Sequence, residues 1–169
     1  PQITEEVKQY GVEIVDSIPA LLKQVDAVIL TCIDGNTHLE QALPVLKAGK
    51  PLFIDKPVSA SLADTIAIFE AAKHYKTPVF SCSSLRYMAS VQEVVKGKIG
   101  NVVGAEAYSP AVIEKTHPDF FWYGIHGIEA LFAIMGTGCK NVARIYTNDA
   151  DIIVGTWEDG RIGSYRGTR

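Results

Sequence analysis

One pattern repeats three times between residues 26 and 98: a short, unbroken apolar run, then a turn, then a segment of helical length. The apolar runs are DAVILTC at 26–32, PLFI at 51–54 and PVFSC at 78–82. Apolar runs without alternation are typical of strands that are buried on both faces of a parallel sheet. Because strands alternate with helices, the sequence predicts right-handed βαβ units and an α/β fold.

Capping residues predict where the helices begin and end. Thr37 lies three residues before a glutamate in a capping-box pattern that opens one helix, and Gly49 is a natural stop for that helix. Ser61 opens the next helix in the same way. Upstream of these helices, residues 11–16 (GVEIVD) have the composition of a short strand.

The second half of the chain has a different order of elements. Its predicted elements are a strand at 101–110, a helix at 122–135 and three strands at 141–147, 151–158 and 161–167. The last two strands are joined by Asp159-Gly160, which is a strong hairpin signal. An α/β half followed by a meander predicts two domains, 1–102 and 103–169, and we expect the second sheet to be incomplete in this chain.

Composition argues against several classes of protein. The net charge of −3 gives no basic footprint for nucleic acid or for an anionic membrane, and no apolar run reaches the roughly 18 residues of a spanning helix. Three widely spaced cysteines argue against a disulfide framework or a zinc knuckle. We therefore expect a cytoplasmic protein without a metal, and without nucleic acid or membrane as a partner.

Polar residues follow each of the three predicted parallel strands, at the edge where such sheets bind ligands. Lys56 is the sharpest candidate, because a lysine at the carboxyl end of a strand can supply a positive charge or carry a proton in the crevice. A solvated surface lysine is an alternative of equal weight, since charges at strand ends are common. Pro57 steers Lys56 away from the helical region and so restricts the path of the chain.

Two more residues near these strand ends have two interpretations each. His38 lies in the first turn of a predicted helix, where backbone N–H groups favour an anion such as a pyrophosphate. The alternative for His38 is a histidine satisfied by the local backbone. Arg86 is either a contact to phosphate or substrate, or a member of a surface salt bridge.

A second cluster lies in HPDFFWYGIHGIEALFAIMG, residues 117–136. His126 falls off the apolar side of the predicted helix, with Glu129 three residues later on the same side. A His/Glu pair at this spacing can orient an imidazole for proton transfer near neutral pH; a buried histidine held by a glutamate is the alternative. No third ligand indicates a metal site. The predicted apolar stripe consists of Ile125, Ile128, Phe132 and Met135.

Three segments, in order, resemble the Gfo/Idh/MocA oxidoreductases, the family of glucose–fructose oxidoreductase and inositol dehydrogenase. They are DAVILTCIDGNTHLEQALPVLKAGKPLFIDKP, VFSCSSLRYMASVQEVVKGKIGNVV and YGIHGIEALFAIMG. The family has a T-P-N-like turn, an A-G-K helix end and an E-K-P motif in the first, an N-R-R-F-like turn in the second and G-x-H-x-x-D in the third. The resemblance implies a partial Rossmann-type, doubly wound parallel sheet followed by part of an α+β open-faced mixed-sheet domain, with NAD or NADP between them.

The resemblance also implies roles for single residues. Lys56 matches the motif lysine that meets the substrate hydroxyl and the nicotinamide, and His126 matches the catalytic histidine of the family. Glu129 and Tyr123 are the other candidates for catalysis. The residues expected to contact the cofactor are Cys32, Ile33, Asp34, His38, Asp55, Lys56, Pro57 and Arg86.

The chain departs from the family pattern in several places. Asp55 replaces the glutamate of E-K-P, and Trp122 stands where inositol-type dehydrogenases often place an aspartate. The candidates for the acid–base partner of His126 are therefore Glu129, Tyr123, Asp119 and His117. The glycine-rich turn and the ribose-binding acid of the family are expected upstream of residue 1, in a longer protein.

The function implied by the resemblance is hydride transfer between nicotinamide and a sugar, a cyclitol or a related polyol. One alternative is a redox-neutral, NAD-dependent glycosidase of the same family. Another is a regulatory protein that binds a dinucleotide without catalysis. The open sheet face of the family implies a homodimer or homotetramer of the full-length protein.

Overall fold

Two sheets organise the chain, which the computed structural model describes from residue 2 to residue 169. The strands of the first sheet are β1 (Val28–Leu30), β2 (Leu52–Asp55) and β3 (Val79–Cys82). They are parallel and lie in the order β1-β2-β3, which confirms the predicted α/β sheet. The helices of this half are α1 (Gln2–Lys8), α2 (Ile18–Leu21), α3 (His38–Lys47), α4 (Leu62–Tyr75) and α5 (Ala89–Val95).

The helices α3 and α4 cover one face of this sheet. Ile54 of β2 is buried there together with Leu46 of α3 and Ile68 of α4. On the opposite face, Ile29 is 70% exposed and Phe80 is 58% exposed. The predicted burial on both faces is therefore wrong for the described residues. Successive right-handed crossovers in one direction place both connecting helices on the same side of the sheet.

The helix caps agree with the sequence at Ser61 and differ at Thr37. The Ser61 hydroxyl accepts a hydrogen bond of 3.0 Å from the backbone N–H of Asp64, as predicted. Thr37 makes no capping bond, and its hydroxyl donates instead to the backbone oxygen of Asp34 at 2.9 Å. Asp34 caps a 3₁₀ turn, Gly35–Thr37, so the chain enters α3 through a tighter coil than a capping box requires.

Of two further predictions for the first half of the chain, one is confirmed and one is wrong. Gly49 ends α3 with a φ of +71°, as predicted. The predicted strand at 11–16 is wrong: the segment is irregular, and Val12 and Ile14 are 49% and 44% exposed. Because no strand in residues 2–169 lies beside this segment, it has no ladder partner.

The second sheet is mixed, and a long helix lies on one of its faces. Its strands are β4 (Gly104–Pro110), β5 (Cys139–Tyr146), β6 (Ala150–Trp157) and β7 (Ile162–Thr168), and the helix is α6 (Ile125–Met135). The order is β4-β7-β6-β5, with β4 and β7 parallel and the other pairs antiparallel. The predicted hairpin joins β6 to β7, and Gly160 has a φ of +85°. Within residues 2–169 no helix is both long enough and apolar enough to cross a bilayer.

The side of α6 that faces the sheet contains Met135 and Ile128 of the predicted stripe, but also Leu131, which lies outside that stripe. Leu131 and Met135 are buried against Trp157 and Tyr165, whereas Phe132 is 38% exposed. Gly127 lies on the same buried side of the helix as Leu131 and Met135. A Cβ at Gly127 would lie 2.5 Å from a ring carbon of Tyr165, so glycine allows α6 to approach β7 closely. This contact sets the height of the first turn of α6 over the sheet.

Candidate active site

The candidate site lies where the carboxyl ends of β2 and β3 meet the beginning of α6. Lys56 follows β2, Ser83 follows β3, and His126 lies in the first turn of α6. Two hydrogen bonds bring these residues together: one from Lys56 to the loop before α6, and one between Ser83 and His126. The two residues predicted from separate parts of the sequence therefore meet at the edge where open parallel sheets bind ligands.

The ammonium group of Lys56 is held by the loop before α6. Its Nζ donates a hydrogen bond of 3.1 Å to the backbone oxygen of Trp122. The same nitrogen lies 5.1 Å from the ring centroid of Trp122 and 5.9 Å from that of Tyr123. No carboxylate among residues 2–169 forms a salt bridge with Lys56. The positive charge is therefore positioned but not neutralised, which favours the crevice interpretation over a surface lysine.

The imidazole of His126 is fixed on two sides. Its Nδ1 lies 2.7 Å from the hydroxyl oxygen of Ser83. The ring of Tyr123 packs edge-on against it, with the centroids 5.4 Å apart. The other nitrogen, Nε2, makes no hydrogen bond to any described residue. His126 and Tyr123 line a cavity of about 220 Å³, together with Ser84, Leu85, Ser109 and Pro110.

The surroundings of His126 favour its neutral form. Burial lowers the pKa of His126 below its usual value of 6.5, and the nearby Lys56 ammonium lowers this pKa further. The carboxylates of Asp55 and Glu129 act in the opposite direction, with a smaller effect. A neutral imidazole at pH 7 is ready to exchange a hydrogen bond or a proton with a ligand in the cavity.

Glu129 does not pair with His126, contrary to the prediction from their spacing. Its Oε2 accepts a hydrogen bond of 2.6 Å from the backbone N–H of Ser83, and its Oε1 forms a 2.7 Å salt bridge with Nε of Arg86. Glu129 is near enough to His126 to raise the pKa of the imidazole slightly, but its two oxygens are occupied by donors from the loop after β3. Glu129 therefore holds this loop on α6, and Arg86 matches its salt-bridge interpretation.

His38 lies beneath the crevice and not on its surface. Its side chain is 0% exposed. Nε2 lies 2.7 Å from the backbone oxygen of Cys32, and Nδ1 lies 3.0 Å from that of Pro57. The ring thus ties the turn after β1 to the turn after β2. This position favours the alternative in which His38 is satisfied by the local backbone. The predicted direct contact between His38 and a cofactor is therefore wrong, and His38 instead supports the turns that a cofactor would touch.

The turn after β1 presents the exposed side chain of Ile33 at the sheet edge. Hydrogen bonds from the backbone N–H and side chain of Asn36 hold the Asp34 carboxylate and keep its pKa below the usual value. Gly35 is buried. A Cβ at this position would lie 2.9 Å from the backbone nitrogen of Ala60. The turn is therefore rigid, and glycine is required for its close approach to the chain after β2.

Two residues considered as partners of His126 are engaged elsewhere. His117 is buried, donates from Nε2 to the backbone oxygen of Ile33 at 3.0 Å, and packs against the ring of Trp122. Asp119 forms a 2.6 Å salt bridge with Arg144. The expectation that either one serves His126 is therefore wrong. His117 instead connects the loop before α6 to the first sheet.

Ser83 is the site residue that sequence reasoning missed as a partner of His126. The sequence placed it at a polar strand end, but its contact with His126 joins residues 43 positions apart, which no local pattern reveals. Its side chain is 0% exposed, so its hydroxyl is unsuited to attack a substrate and serves as a structural contact. Within residues 2–169, no group of three or more histidine, cysteine, aspartate or glutamate side chains is placed to hold a metal ion.

Larger surface concavities lie away from these residues. One of about 700 Å³ is formed by Glu106, Tyr108, Arg166 and Thr168 on the outer face of the second sheet. It brings together no acid–base pair comparable with Lys56 and His126. Chemistry, and not volume, therefore identifies the candidate site.

Comparison with known proteins finds an NAD-binding fold in the first half of the chain. Residues 1–82 match the model of a family described as "Oxidoreductase family, NAD-binding Rossmann fold". The chain is 24% identical over 123 residues to the uncharacterized oxidoreductase YhhX of Escherichia coli K12, an alignment that covers 64% of this chain and 35% of YhhX. It is 29% identical over 93 residues to inositol 2-dehydrogenase of Acidiphilium cryptum, covering 55% of this chain and 26% of that enzyme.

A solved structure resembles nearly the whole chain. The structure of GenD2 from gentamicin A biosynthesis, in complex with NAD, superposes with a TM-score of 0.79 at 15% identity, and covers 98% of this chain and 54% of GenD2. At this identity the likeness shows the fold alone. The chain spans about half the length of that protein, and its alignments cover smaller shares of the two curated relatives.

Proposed function

We propose that this chain belongs to the Gfo/Idh/MocA family of oxidoreductases and that the protein is an NAD(P)-dependent dehydrogenase of a sugar, a cyclitol or a related polyol. The observation that carries the proposal is the convergence of the Lys56 ammonium and the neutral His126 imidazole at the carboxyl edge of a parallel sheet. A cation and an imidazole are the groups that oxidation of an alcohol, or reduction of a ketone, requires around the reacting oxygen.

The residues at this edge fit a nicotinamide cofactor, and the fold of the family binds NAD. The exposed Ile33 offers an apolar surface to a flat ring, and the rigid Asp34-Gly35 turn holds that surface at the sheet edge. Lys56 and His126 supply the polar groups that a neighbouring substrate oxygen needs. When bound, the nicotinamide supplies the hydride acceptor or donor of the reaction.

The chain's own residues prepare the substrate oxygen for this reaction. Lys56 holds a positive charge beside the oxygen, where it stabilises a developing alkoxide. The backbone oxygen of Trp122 fixes the direction of the lysine side chain, so little reorganisation is needed on binding. His126 exchanges a hydrogen bond with the same oxygen. Tyr123, partly exposed above both residues, limits access of water to them.

A polyhydroxylated substrate is favoured by the aromatic wall of the site. Tyr123 lines the cavity beside His126 and is partly exposed next to the Lys56 cation, and an aromatic ring of this kind packs well against the C–H side of a sugar or cyclitol ring. The name of one relative, inositol 2-dehydrogenase, supports the same substrate class. A redox-neutral glycosidase would use the same residues and differs only in its product.

A dinucleotide-binding protein without catalysis is the second candidate function. It is favoured by one observation: no carboxylate among residues 2–169 is hydrogen-bonded to His126, because Glu129 is occupied by Ser83 and Arg86. Such a protein would bind NAD or NADP tightly and transfer no hydride to or from any member of a broad polyol panel.

The decisive experiment uses the full-length protein. Calorimetry with NAD and NADP first establishes cofactor binding, and absorbance at 340 nm then follows nicotinamide reduction across sugars and cyclitols. Product analysis separates net oxidation from glycoside cleavage. Lys56→Ala should lower kcat by about 10²-fold or more while cofactor binding is kept. Lys98→Ala, at an exposed pair with Glu93, is the matched control. Near-normal turnover of Lys56→Ala would contradict the proposed role.

We also propose that the full-length protein forms a homodimer or homotetramer through the outer face of the second sheet. Tyr108, Ile145, Ile152 and Ile162 are between 46% and 84% exposed on this face, an apolar surface that monomers seldom leave open. Light scattering after gel filtration should give a dimer or tetramer mass, and Ile152→Lys should shift it toward the monomer. A cytoplasmic location stays a prediction.

A further inference from the structure

The hydroxyl of Ser83 is completely enclosed by the protein. The side chain is 0% exposed. Among residues 2–169, two groups are hydrogen-bonded to its Oγ: the backbone N–H of Leu85, which donates a hydrogen bond of 3.1 Å, and Nδ1 of His126, which lies at 2.7 Å. The backbone of Ser83 is itself fixed, since its N–H donates to Glu129 at 2.6 Å.

These contacts determine which atom carries the hydrogen between Ser83 and His126. A serine hydroxyl has one hydrogen to donate and two lone pairs that accept. The N–H of Leu85 occupies one lone pair. If Nδ1 of His126 carried a hydrogen, it would occupy the other, and the hydroxyl hydrogen would be buried. Within residues 2–169, Nδ1 is the only acceptor bonded to this hydroxyl, so that arrangement would leave a buried donor without a partner, which is unfavourable.

We propose that Ser83 is a positioning residue, which donates its hydroxyl hydrogen to Nδ1 of His126 and thereby holds the neutral imidazole in the tautomer with its hydrogen on Nε2. The free Nε2–H then faces away from Ser83 and is the group that His126 offers to a ligand. The imidazole is a hydrogen-bond donor at rest, and not a base with a free lone pair.

The chemical consequence rests on the proposed dehydrogenase function. In the reduction of a ketone, the carbonyl carbon gains the hydride of the reduced nicotinamide and the C=O double bond becomes a single bond. The oxygen takes its proton from the Lys56 ammonium, and the resulting amine regains a proton from water. The Nε2–H of His126 donates a hydrogen bond to the same oxygen throughout. By fixing the tautomer of His126, Ser83 gives the two residues separate roles. Lys56 transfers the proton, and His126 polarises the carbonyl group through its hydrogen bond.

The electrostatic surroundings agree with this arrangement. The charged and titratable groups that face His126 are Lys56, Asp55, Glu129 and Tyr123, from β2, the loop after it and the region of α6. Burial and Lys56 lower the pKa of His126. A hydroxyl that donates to Nδ1 also favours the neutral ring, so the hydrogen bond and the charges act in the same direction.

The test is a direct observation of the tautomer in the full-length protein. Histidines labelled with ¹⁵N are observed by two-bond ¹H–¹⁵N correlation, and the His126 signals are assigned by their loss in His126→Gln. Above the pKa of His126, we expect the pattern of a ring with its hydrogen on Nε2. A pattern with the hydrogen on Nδ1 overturns the inference, and this measurement needs no variant of Ser83.

Variants of Ser83 then test its role. Ser83→Ala removes the donor to Nδ1 and should raise the midpoint of the His126 titration by about half a unit to one unit. Ser83→Thr keeps a hydroxyl and should return the midpoint toward the wild-type value. Ser90→Ala, an exposed serine of α5, should leave it unchanged. An unchanged midpoint in a folded Ser83→Ala protein would contradict the proposal.

The same experiments separate this inference from the proposed function. The tautomer and the titration are measured without cofactor or substrate. A protein with the Nε2–H tautomer that binds no dinucleotide and reduces no ketone would refute the dehydrogenase proposal and leave the role of Ser83 intact. A Nδ1–H tautomer in an active dehydrogenase would refute the role of Ser83 and leave the dehydrogenase proposal intact.

Discussion

The backbone N–H of Ser83 donates a hydrogen bond of 2.6 Å to Oε2 of Glu129, across 46 positions of the sequence. The other carboxylate oxygen of Glu129 binds Arg86, so one side chain of α6 holds two points of the loop that follows β3. The glutamate that looked like a catalytic partner in the sequence is therefore the clamp that keeps Ser83 beside His126. Its removal should affect both the stability of the fold and the state of His126.

Glu129→Gln should destabilise the protein by about 1–3 kcal/mol, because a charge-assisted acceptor for a backbone N–H is lost and the partner cation of the loop is left alone. The salt bridge to Arg86 contributes the smaller part, since the arginine side chain is 38% exposed and its charge is screened by water. Urea unfolding followed by circular dichroism measures the change. Glu93→Gln, which removes an exposed ion pair with Lys98, is the control and should change the midpoint little.

The pKa of His126 should respond to Lys56. Because burial and the Lys56 ammonium lower this pKa from 6.5, Lys56→Met should move the NMR titration midpoint upward, toward the unperturbed value. Lys98→Met at the exposed pair should not move it. A midpoint unaffected by Lys56→Met would show that the lysine charge does not reach the imidazole.

The lowered pKa of His126 also determines how the stability of the protein changes with pH. The folded state disfavours protonation of His126, so the unfolded chain binds the proton more tightly. The contribution of His126 to stability is therefore fully present above about pH 6.5 and is lost as the pH falls through the lowered pKa of the folded state. Comparing urea midpoints of wild type and His126→Gln between pH 5 and pH 7 measures this: the wild type should lose stability more steeply on acidification than the variant.

The sequence predicted those features of the fold that depend on local pattern. The order of strands and helices, the parallel pairing of β1, β2 and β3 and the cap at Ser61 all follow from hydrophobic runs and turn residues. The position of Lys56 at the sheet edge follows from the general rule that carboxyl ends of parallel strands share an edge. The place of His126 beside it is implied only by the family resemblance, because His126 lies on a helix that directly follows no strand of the first sheet.

The features that the sequence did not predict depend on contacts between distant residues. The Ser83–His126 pair and the Ser83–Glu129 pair join the loop after β3 to α6, and no spacing within either segment encodes them. The close approach of α6 to β7 depends on the absence of one side chain, at Gly127, against Tyr165. The contacts of the His38 ring with three backbone oxygens likewise form only once the turns that carry those oxygens are in place.

Asp151 should be among the most sensitive positions of the second sheet. Its side chain is 0% exposed and pairs with Arg144 at 2.7 Å and with Arg169. Asp151→Asn removes the negative charge that two partly buried guanidinium groups share, so we expect a loss of about 3–5 kcal/mol. Asp159→Asn, at the exposed hairpin beside Arg161, is the matched control. Similar unfolding midpoints for the two variants would contradict this assignment.

Gly127→Ala tests the packing that sets the position of His126. An added Cβ would lie 2.5 Å from Cε2 of Tyr165 and 2.7 Å from Oγ of Ser109, so α6 has to move away from β7. Overpacking of this kind costs about 1–3 kcal/mol, which thermal unfolding would detect. Since His126 precedes Gly127 directly, the shift should also lengthen its contact with Ser83 and raise the midpoint of the His126 titration. An unchanged melting temperature together with an unchanged midpoint would show that the helix does not depend on this close approach.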